Sequence, residues 1–289
     1  MSTPTARTVY LNGEFLPETE AHISIFDRGF LFADGIYEVT AVLDRKLIDS
    51  PLHMARLQRS VGEIGIELPV SIDEIIEIER KLIEANNVNE GLLYMQVTRG
   101  AQDRDFDYPH DLKPTLMIFP QHKNYLNAKN AQTGIVVKSV QDLRWARRDI
   151  KSLCLLPQVM VKHAAHAEGF DDVWMTEDGV ITEGGSSTAY IVTEDKKIIT
   201  RDNSHKILPG CTRAALVNLL KEQPEFTLEE RAFTLEEALK AKEAFNTSAT
   251  SFVLPIVKID DTQIGDGKVG PVAKRLRELY VEHARKSAI

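Results

Sequence analysis

The chain has 289 residues, more than one hydrophobic core usually organises, so two domains sharing a cleft are expected. Hydrophobic residues make up 43% and charged residues 27%, a globular composition that excludes a disordered or membrane-embedded chain. With 35 basic against 43 acidic residues the formal charge is −8, which excludes a nucleic-acid backbone as the main partner.

The opening residues Met1–Arg7 lack the apolar core of a secretory signal. Two cysteines, Cys154 and Cys211, are too few for a disulfide framework and show no metal-ligand spacing. Together these features predict a cytoplasmic protein with free thiols and no resident metal.

In chain order, Thr8–Leu11 and Glu14–Leu16 flank Asn12-Gly13, a dipeptide that takes the positive φ angles of a tight hairpin turn. Ile36–Leu43, rich in β-branched residues, turns at Asp44-Arg45-Lys46 into a second hairpin, with Tyr37, Val39 and Ala41 on one face. Ser50-Pro51 reads as N-cap and first helical residue of a helix over 51–64, carrying Leu52, Leu57, Val61 and Ile64. Ser71 and Glu74 form a capping box that opens a helix running to Ala85. Strands at 91–99 and 114–120 complete a small α/β domain, 1–120, and the polar stretch 121–130 is the expected linker.

The larger domain, 131–289, is expected to hold strands at 134–140, 172–176, 179–182, 188–193 and 197–200 and a strand through Glu243–Asn246. Its helices are predicted at 156–168 and 211–222, after the Thr234 and Glu237 capping box, and at 269–285. There are no internal repeats.

By composition Lys151 is one lysine among many, and most are solvated. Its context, Asp149-Ile150-Lys151-Ser152-Leu153, is apolar enough to favour a neutral amine, which Schiff-base chemistry needs. Thirty-two residues later stands Glu183, in Thr182-Glu183-Gly184-Gly185-Ser186-Ser187. Further on, Leu208-Pro209-Gly210-Cys211-Thr212 leads into a helix whose free N–H groups suit a phosphate. Asn246–Ser251 is a hydroxyl-rich turn of the kind that completes such a cradle.

The paired Asp-Ile-Lys-Ser-Leu and Thr-Glu-Gly-Gly-Ser-Ser motifs resemble those of fold-type IV pyridoxal-phosphate aminotransferases. The likeness, strongest to the D-amino acid aminotransferases, covers nearly the whole chain. It implies a two-domain mixed α/β (α+β) fold with the active site in the interdomain cleft and pyridoxal 5'-phosphate as cofactor. Lys151 would form the Schiff base, Glu183 would serve the pyridine nitrogen, and Leu208, Cys211 and Thr212 would line the cofactor. Ser248, Thr250 and Arg56 would reach its phosphate; Ala249 departs from the family's usual hydroxyl.

The same resemblance places Tyr37 and Val39 beside the substrate and makes Arg104 a carboxylate clamp from the neighbouring subunit of a homodimer. A guanidinium fork suits a carboxylate and would select amino acids over amines. Phe106 stands where the family has a histidine, which alters that trap, and Asp105 and Asp107 would disfavour dicarboxylates. The implied activity is ping-pong transfer of an amino group between a D-amino acid and a 2-oxo acid through pyridoxamine phosphate. Alternatives on the same fold are a branched-chain L-aminotransferase, an (R)-selective amine transaminase and an aminodeoxychorismate-type lyase.

Overall fold

A computed structural model describes residues 6–289. The chain forms two compact units. The first holds the described chain up to Asn124 together with Ile150–Leu153 and Ser287–Ile289; the second holds Tyr125–Asp149 and Cys154–Lys286. Unlike contiguous domains of 1–120 and 131–289, the first unit includes two short segments from later in the chain, and one of them carries Lys151.

In the first unit the elements are β1 (Thr8–Leu11), β2 (Glu14–Pro17), α1 (Arg28–Phe32), β3 (Gly35–Leu43), β4 (Lys46–Leu47), α2 (Ser50–Glu63), α3 (Ile72–Ala85), β5 (Glu90–Thr98) and β6 (Thr115–His122). Six strands form one antiparallel sheet in the order β2-β1-β6-β5-β3-β4. Asn12 at φ 48° and Gly13 at φ 106° make the first turn, as the Asn-Gly pair requires. Ser71 and Glu74 cap α3 reciprocally, each satisfying a backbone N–H that the helix leaves free.

Two local expectations are corrected. Ser50 is the first helical residue rather than the N-cap: Asp49, in the left-handed region at φ 53°, reverses the chain one residue earlier. The stretch 121–130 is not all linker, because β6 runs to His122 and α4 begins at Lys129. The five-residue α1 has no apolar period to announce it; Asp27 caps it by accepting the Gly29 N–H at 2.8 Å.

Strand β3 alternates as its period demands, but the buried, helix-covered face carries Glu38 and Thr40 as well as Ile36 and Val42. Helix α2 packs on β3, bringing Met54, Leu57 and Val61 into one apolar cluster with Ile36 and Val42. Tyr37 and Val39 lie on the opposite, half-buried face.

The second unit holds α4 (Lys129–Thr133), β7 (Ile135–Gln141), α5 (Leu156–Ala167), β8 (Asp172–Glu177), β9 (Val180–Gly184), β10 (Thr188–Val192), β11 (Lys197–Thr200), α6 (Cys211–Leu220), β12 (Thr227–Glu230), α7 (Leu235–Leu239), β13 (Glu243–Ser248), β14 (Phe252–Ile259), β15 (Thr262–Gln263) and α8 (Pro271–Ser287). Eight strands run β12-β11-β10-β13-β14-β7-β8-β9, and β15 pairs with β14. Strand β14 escapes sequence reading because Pro255 interrupts an otherwise strand-like run. Trp174, Phe233 and Ile256 lie in its core, and the Trp174 indole N–H donates to Asn246 Oδ1 at 2.7 Å.

Among the described residues no helix is long and apolar enough to cross a membrane, and no cluster of His, Cys, Asp and Glu could hold a metal. Both cysteines are free thiols.

Candidate active site

In the first unit, Ile150–Leu153 lies along β3 like an added strand. The Tyr37 N–H donates to the Lys151 carbonyl at 3.0 Å, and the Leu153 N–H to the Gly35 carbonyl at 3.1 Å. Backbone pairing thus fixes where the lysine projects: its Nζ sits 4.0 Å from the centroid of the Tyr37 ring. Facing an aromatic ring and half-buried, this amine is positioned for chemistry rather than committed to an ion pair.

Tyr37 is itself held by stacking on Tyr94, 5.7 Å away, which stacks on Phe119 at 5.0 Å. The ladder crosses β3, β5 and β6, whose register sets Tyr94 opposite both Val39 and Phe119. The Tyr94 hydroxyl donates to Gln96 Oε1 at 2.9 Å, and burial pushes its pKa up to about 12. Tyr94 therefore stays a neutral donor.

On the other face of β3, Glu38 receives Arg56 in a fork, Nε to Oε1 and Nη2 to Oε2, both at 2.8 Å. His53 Nδ1 lies 2.9 Å from Glu38 Oε2. Burial opposes charge on Glu38, yet Arg56 and His53 hold its carboxyl far below the ordinary range. Arg56 is thus a buried, oriented guanidinium and not a solvated helix-face charge.

Arg104 lies on the exposed loop after Gly100, its guanidinium 5.3 Å from the Phe32 ring and 5.6 Å from that of Phe106. Arg28 anchors this loop by donating to the Asp105 carbonyl at 2.6 Å and the Phe106 carbonyl at 3.2 Å. Phe106, the departure from the family pattern, is 76% exposed.

In the second unit, Glu183 on β9 is buried and touches Arg144. Leu208 donates its N–H to both Glu183 oxygens, at 3.2 and 3.3 Å. Burial pushes the Glu183 carboxyl up, while Arg144 and the Leu208 N–H oppose the shift. A carboxyl balanced in this way can share a proton with a basic ring nitrogen. Arg144 is tied in turn to Asp142, with Nη2 2.6 Å from Oδ2, and Thr182 donates to the same oxygen at 2.6 Å. Burial works against charge on Asp142, but Arg144 and Thr182 keep its carboxyl below the usual range.

Helix α6 starts at Cys211 after Gly210, with no side chain capping its free N–H groups. Thr212, in its first turn, is buried and its hydroxyl has no partner. A Cβ at Gly210 would stand 2.9 Å from Thr188 Oγ1 and 3.3 Å from Arg213 Cβ, so glycine alone fits without displacement. Ser248 Oγ lies 2.7 Å from Ser251 Oγ and 3.3 Å from Thr250 Oγ1, in a turn closed by Phe252 at φ 59°. A bulky residue in that region is strained, and the Tyr125 and Tyr280 rings pack against it.

The residues fit pyridoxal 5'-phosphate by their own chemistry. An amine on a fixed backbone suits an aldehyde carbon, a buried carboxyl suits a ring nitrogen, and an uncapped helix start with an orphaned threonine hydroxyl suits a phosphate. Gly210→Ala is expected to lower cofactor affinity about tenfold, since overpacking of ~1–3 kcal/mol falls on the helix start; titration of cofactor-free protein checks this. Unchanged affinity would show that the α6 start does not hold the phosphate.

The family described as amino-transferase class IV matches residues 35–259. This chain belongs to that family. Among known proteins the aminotransferase is 38% identical to the D-alanine aminotransferase of Staphylococcus haemolyticus, over 94% of this chain and 96% of that one. It is also 38% identical to the D-alanine aminotransferase of Bacillus licheniformis, over 93% and 94%. Its fold superposes on the branched-chain amino acid aminotransferase of Escherichia coli with a TM-score of 0.88 at 22% identity, covering 96% of this chain and 94% of that one. A hypothetical aminotransferase from Mycobacterium tuberculosis in its PLP-bound form gives 0.84 at 18%, covering 96% and 99%. The chain is a fold-type IV, pyridoxal-phosphate-dependent aminotransferase.

Sequence reading missed the partners that hold the named residues: Arg144 and Asp142 behind Glu183, Tyr94 behind Tyr37, and Glu38 with His53 behind Arg56. Only Glu38 carried a signal, as a charged residue inside a strand-like apolar run.

Proposed function

We propose that this aminotransferase moves the amino group of a D-amino acid, D-alanine in the first instance, to a 2-oxo acid. The observation that carries the reading is near full-length identity of 34–38% to D-alanine aminotransferases of staphylococci and Bacillus. The branched-chain enzymes among its structural neighbours, at 22% identity, speak for the fold alone.

When bound, pyridoxal 5'-phosphate supplies a carbonyl for amine exchange and a ring that accepts the electrons of the broken Cα–H bond. The chain's own residues do the rest. Lys151 would hold the cofactor covalently at rest, and its Nζ as a free amine would accept the proton from the substrate Cα and donate it again later in the reaction. Glu183 would hold the proton on the pyridine nitrogen, with Arg144 and the Leu208 N–H keeping its oxygens in place. Thr212, Ser248 and Thr250 would hold the phosphate, beside Leu208 and Cys211, and Arg56 would be a further phosphate ligand. Tyr37 and Val39 bound the substrate.

Arg104, brought from a second copy of the chain in a homodimer, takes the substrate carboxylate. Phe32 and Phe106 would keep its guanidinium extended by contact with their ring faces, in place of a hydrogen-bonding histidine. The protein acts in the cytoplasm, where D-amino acids and 2-oxo acids meet as free solutes.

Mixing the holoenzyme with D-alanine, L-leucine, L-glutamate or (R)-1-phenylethylamine, without an oxo acid, and following cofactor absorbance tests the reading. D-alanine alone should discharge the band and release pyruvate. Discharge by L-leucine or the amine and not by D-alanine would overturn the substrate assignment.

A further inference from the structure

Glu79, on the sheet-facing side of α3, is 0% exposed, and neither carboxylate oxygen is hydrogen-bonded. A buried carboxyl is costly when charged and unpaired, so its presence in an apolar layer calls for a role. The groups around it are few. From β3 come Glu38 and Thr40, from α2 His53 and Arg56, all buried. The Thr40 hydroxyl interacts with Glu79 without satisfying either oxygen. On the neighbouring strands this side of the sheet is lined by Leu93, Met95, Val97, Leu116 and Ile118, with Tyr10 on β1 the other titratable group and its hydroxyl bonded at Gly13.

The cluster is wired in one direction. Ionised Glu38 only accepts, so His53 Nδ1 must carry the proton of their 2.9 Å contact. Glu38 is at the same time the fork that aims Arg56. Charge on Glu79 therefore acts on Arg56 through His53 and Glu38, across a low-dielectric layer where it is poorly screened. Burial pushes Glu79 up to about 7, opposed by His53 and Thr40 and reinforced by Glu38, which puts the change of charge near neutral pH.

We propose that Glu79 is a positioning residue that sets, through His53 and Glu38, how firmly Arg56 holds the phosphate of the cofactor. With Glu79 uncharged, Glu38 alone among the cluster's carboxyls sets a negative charge against the attraction of Arg56 for the phosphate. Once Glu79 loses its proton to solvent, its negative charge offsets part of that attraction. Cofactor retention then weakens as pH rises through neutral. The inference rests on the reading of Arg56 as a phosphate ligand.

The test titrates full-length, cofactor-free protein with pyridoxal 5'-phosphate, and separately with inorganic phosphate, from pH 5.5 to 8.5. Wild type, Glu79→Gln and Glu79→Leu are compared, and the imidazole resonances of His53 are followed by NMR. The phosphate's own ionisation, near pH 6, is common to all three and cancels in the ratio. Wild-type affinity should fall about fivefold more across this range than that of either variant, and His53 should titrate at lower pH in both variants. A merely structural Glu79 would change stability and leave the pH slope of affinity alone.

Parallel affinity profiles, with an unmoved His53, would overturn the proposal. Arg56→Gln separates the two readings. If it weakens cofactor and phosphate binding while the Glu79 variants keep the wild-type slope, this inference falls and the Arg56 reading stands. If it leaves binding unchanged, the Arg56 reading falls first and takes the inference with it.

Discussion

Lys151→Ala is expected to lower the rate of D-alanine transamination by about 10³-fold or more, because in the proposed mechanism one amine serves as covalent anchor, proton acceptor and proton donor. The fold should survive: the segment is held by backbone bonds, Tyr37 N–H to the Lys151 carbonyl and Leu153 N–H to the Gly35 carbonyl, which an alanine side chain does not disturb. The side chain lost is half-buried, so the cost in stability is small. Single-turnover kinetics with D-alanine, alongside circular dichroism, measure both quantities. A folded variant retaining a tenth of the wild-type rate would remove Lys151 from the chemistry and return it to the pool of structural lysines.

Glu38→Ala is expected to destabilise the protein by about 3–5 kcal/mol at pH 7, the range found when one member of a buried ion pair is removed. Arg56 would be left in an apolar layer without the fork that satisfies it, and His53 without the acceptor for its Nδ1. The direction of the pH dependence follows from the depressed Glu38 carboxyl. Its contribution is fully present above the pKa of an unfolded glutamate, near 4.5, and is lost as pH falls toward the folded value. Denaturant unfolding at pH 7 and at successively lower pH should therefore show the gap between wild type and variant narrowing on acidification. A gap that stays constant, or a loss under 1 kcal/mol at pH 7, would show that the pair contributes little. Cofactor affinity should fall with stability, since Glu38 also aims Arg56.

These two residues mark where sequence reading reaches and where it stops. Lys151 was nominated by a linear signal: Asp-Ile-Lys-Ser-Leu and, thirty-two residues on, Thr-Glu-Gly-Gly-Ser-Ser. The hairpins and the capped helices were legible for the same reason. Asn12-Gly13 and the boxes at Ser71 and Thr234 are short-range devices whose hydrogen bonds close within a few residues. Elements without such devices were lost. Strand β12 is short and polar, β14 carries Pro255, and the helix start at Ser50 was shifted by the positive φ of Asp49.

The sequence alone therefore determined the family and the cofactor and nominated the residues proposed to react, because these follow from chemical groups set in a fixed order along the chain. Tertiary structure decided what makes those groups usable. It alone brought Arg144 to Glu183, the Tyr37 ring beneath the Lys151 amine, Arg56 and His53 to Glu38, and Glu79 into the same buried layer. Each of these meetings, apart from the Tyr37 contact, is a balance between desolvation and a partner supplied by another element. That partner is set by strand register and helix packing rather than by neighbours in the chain.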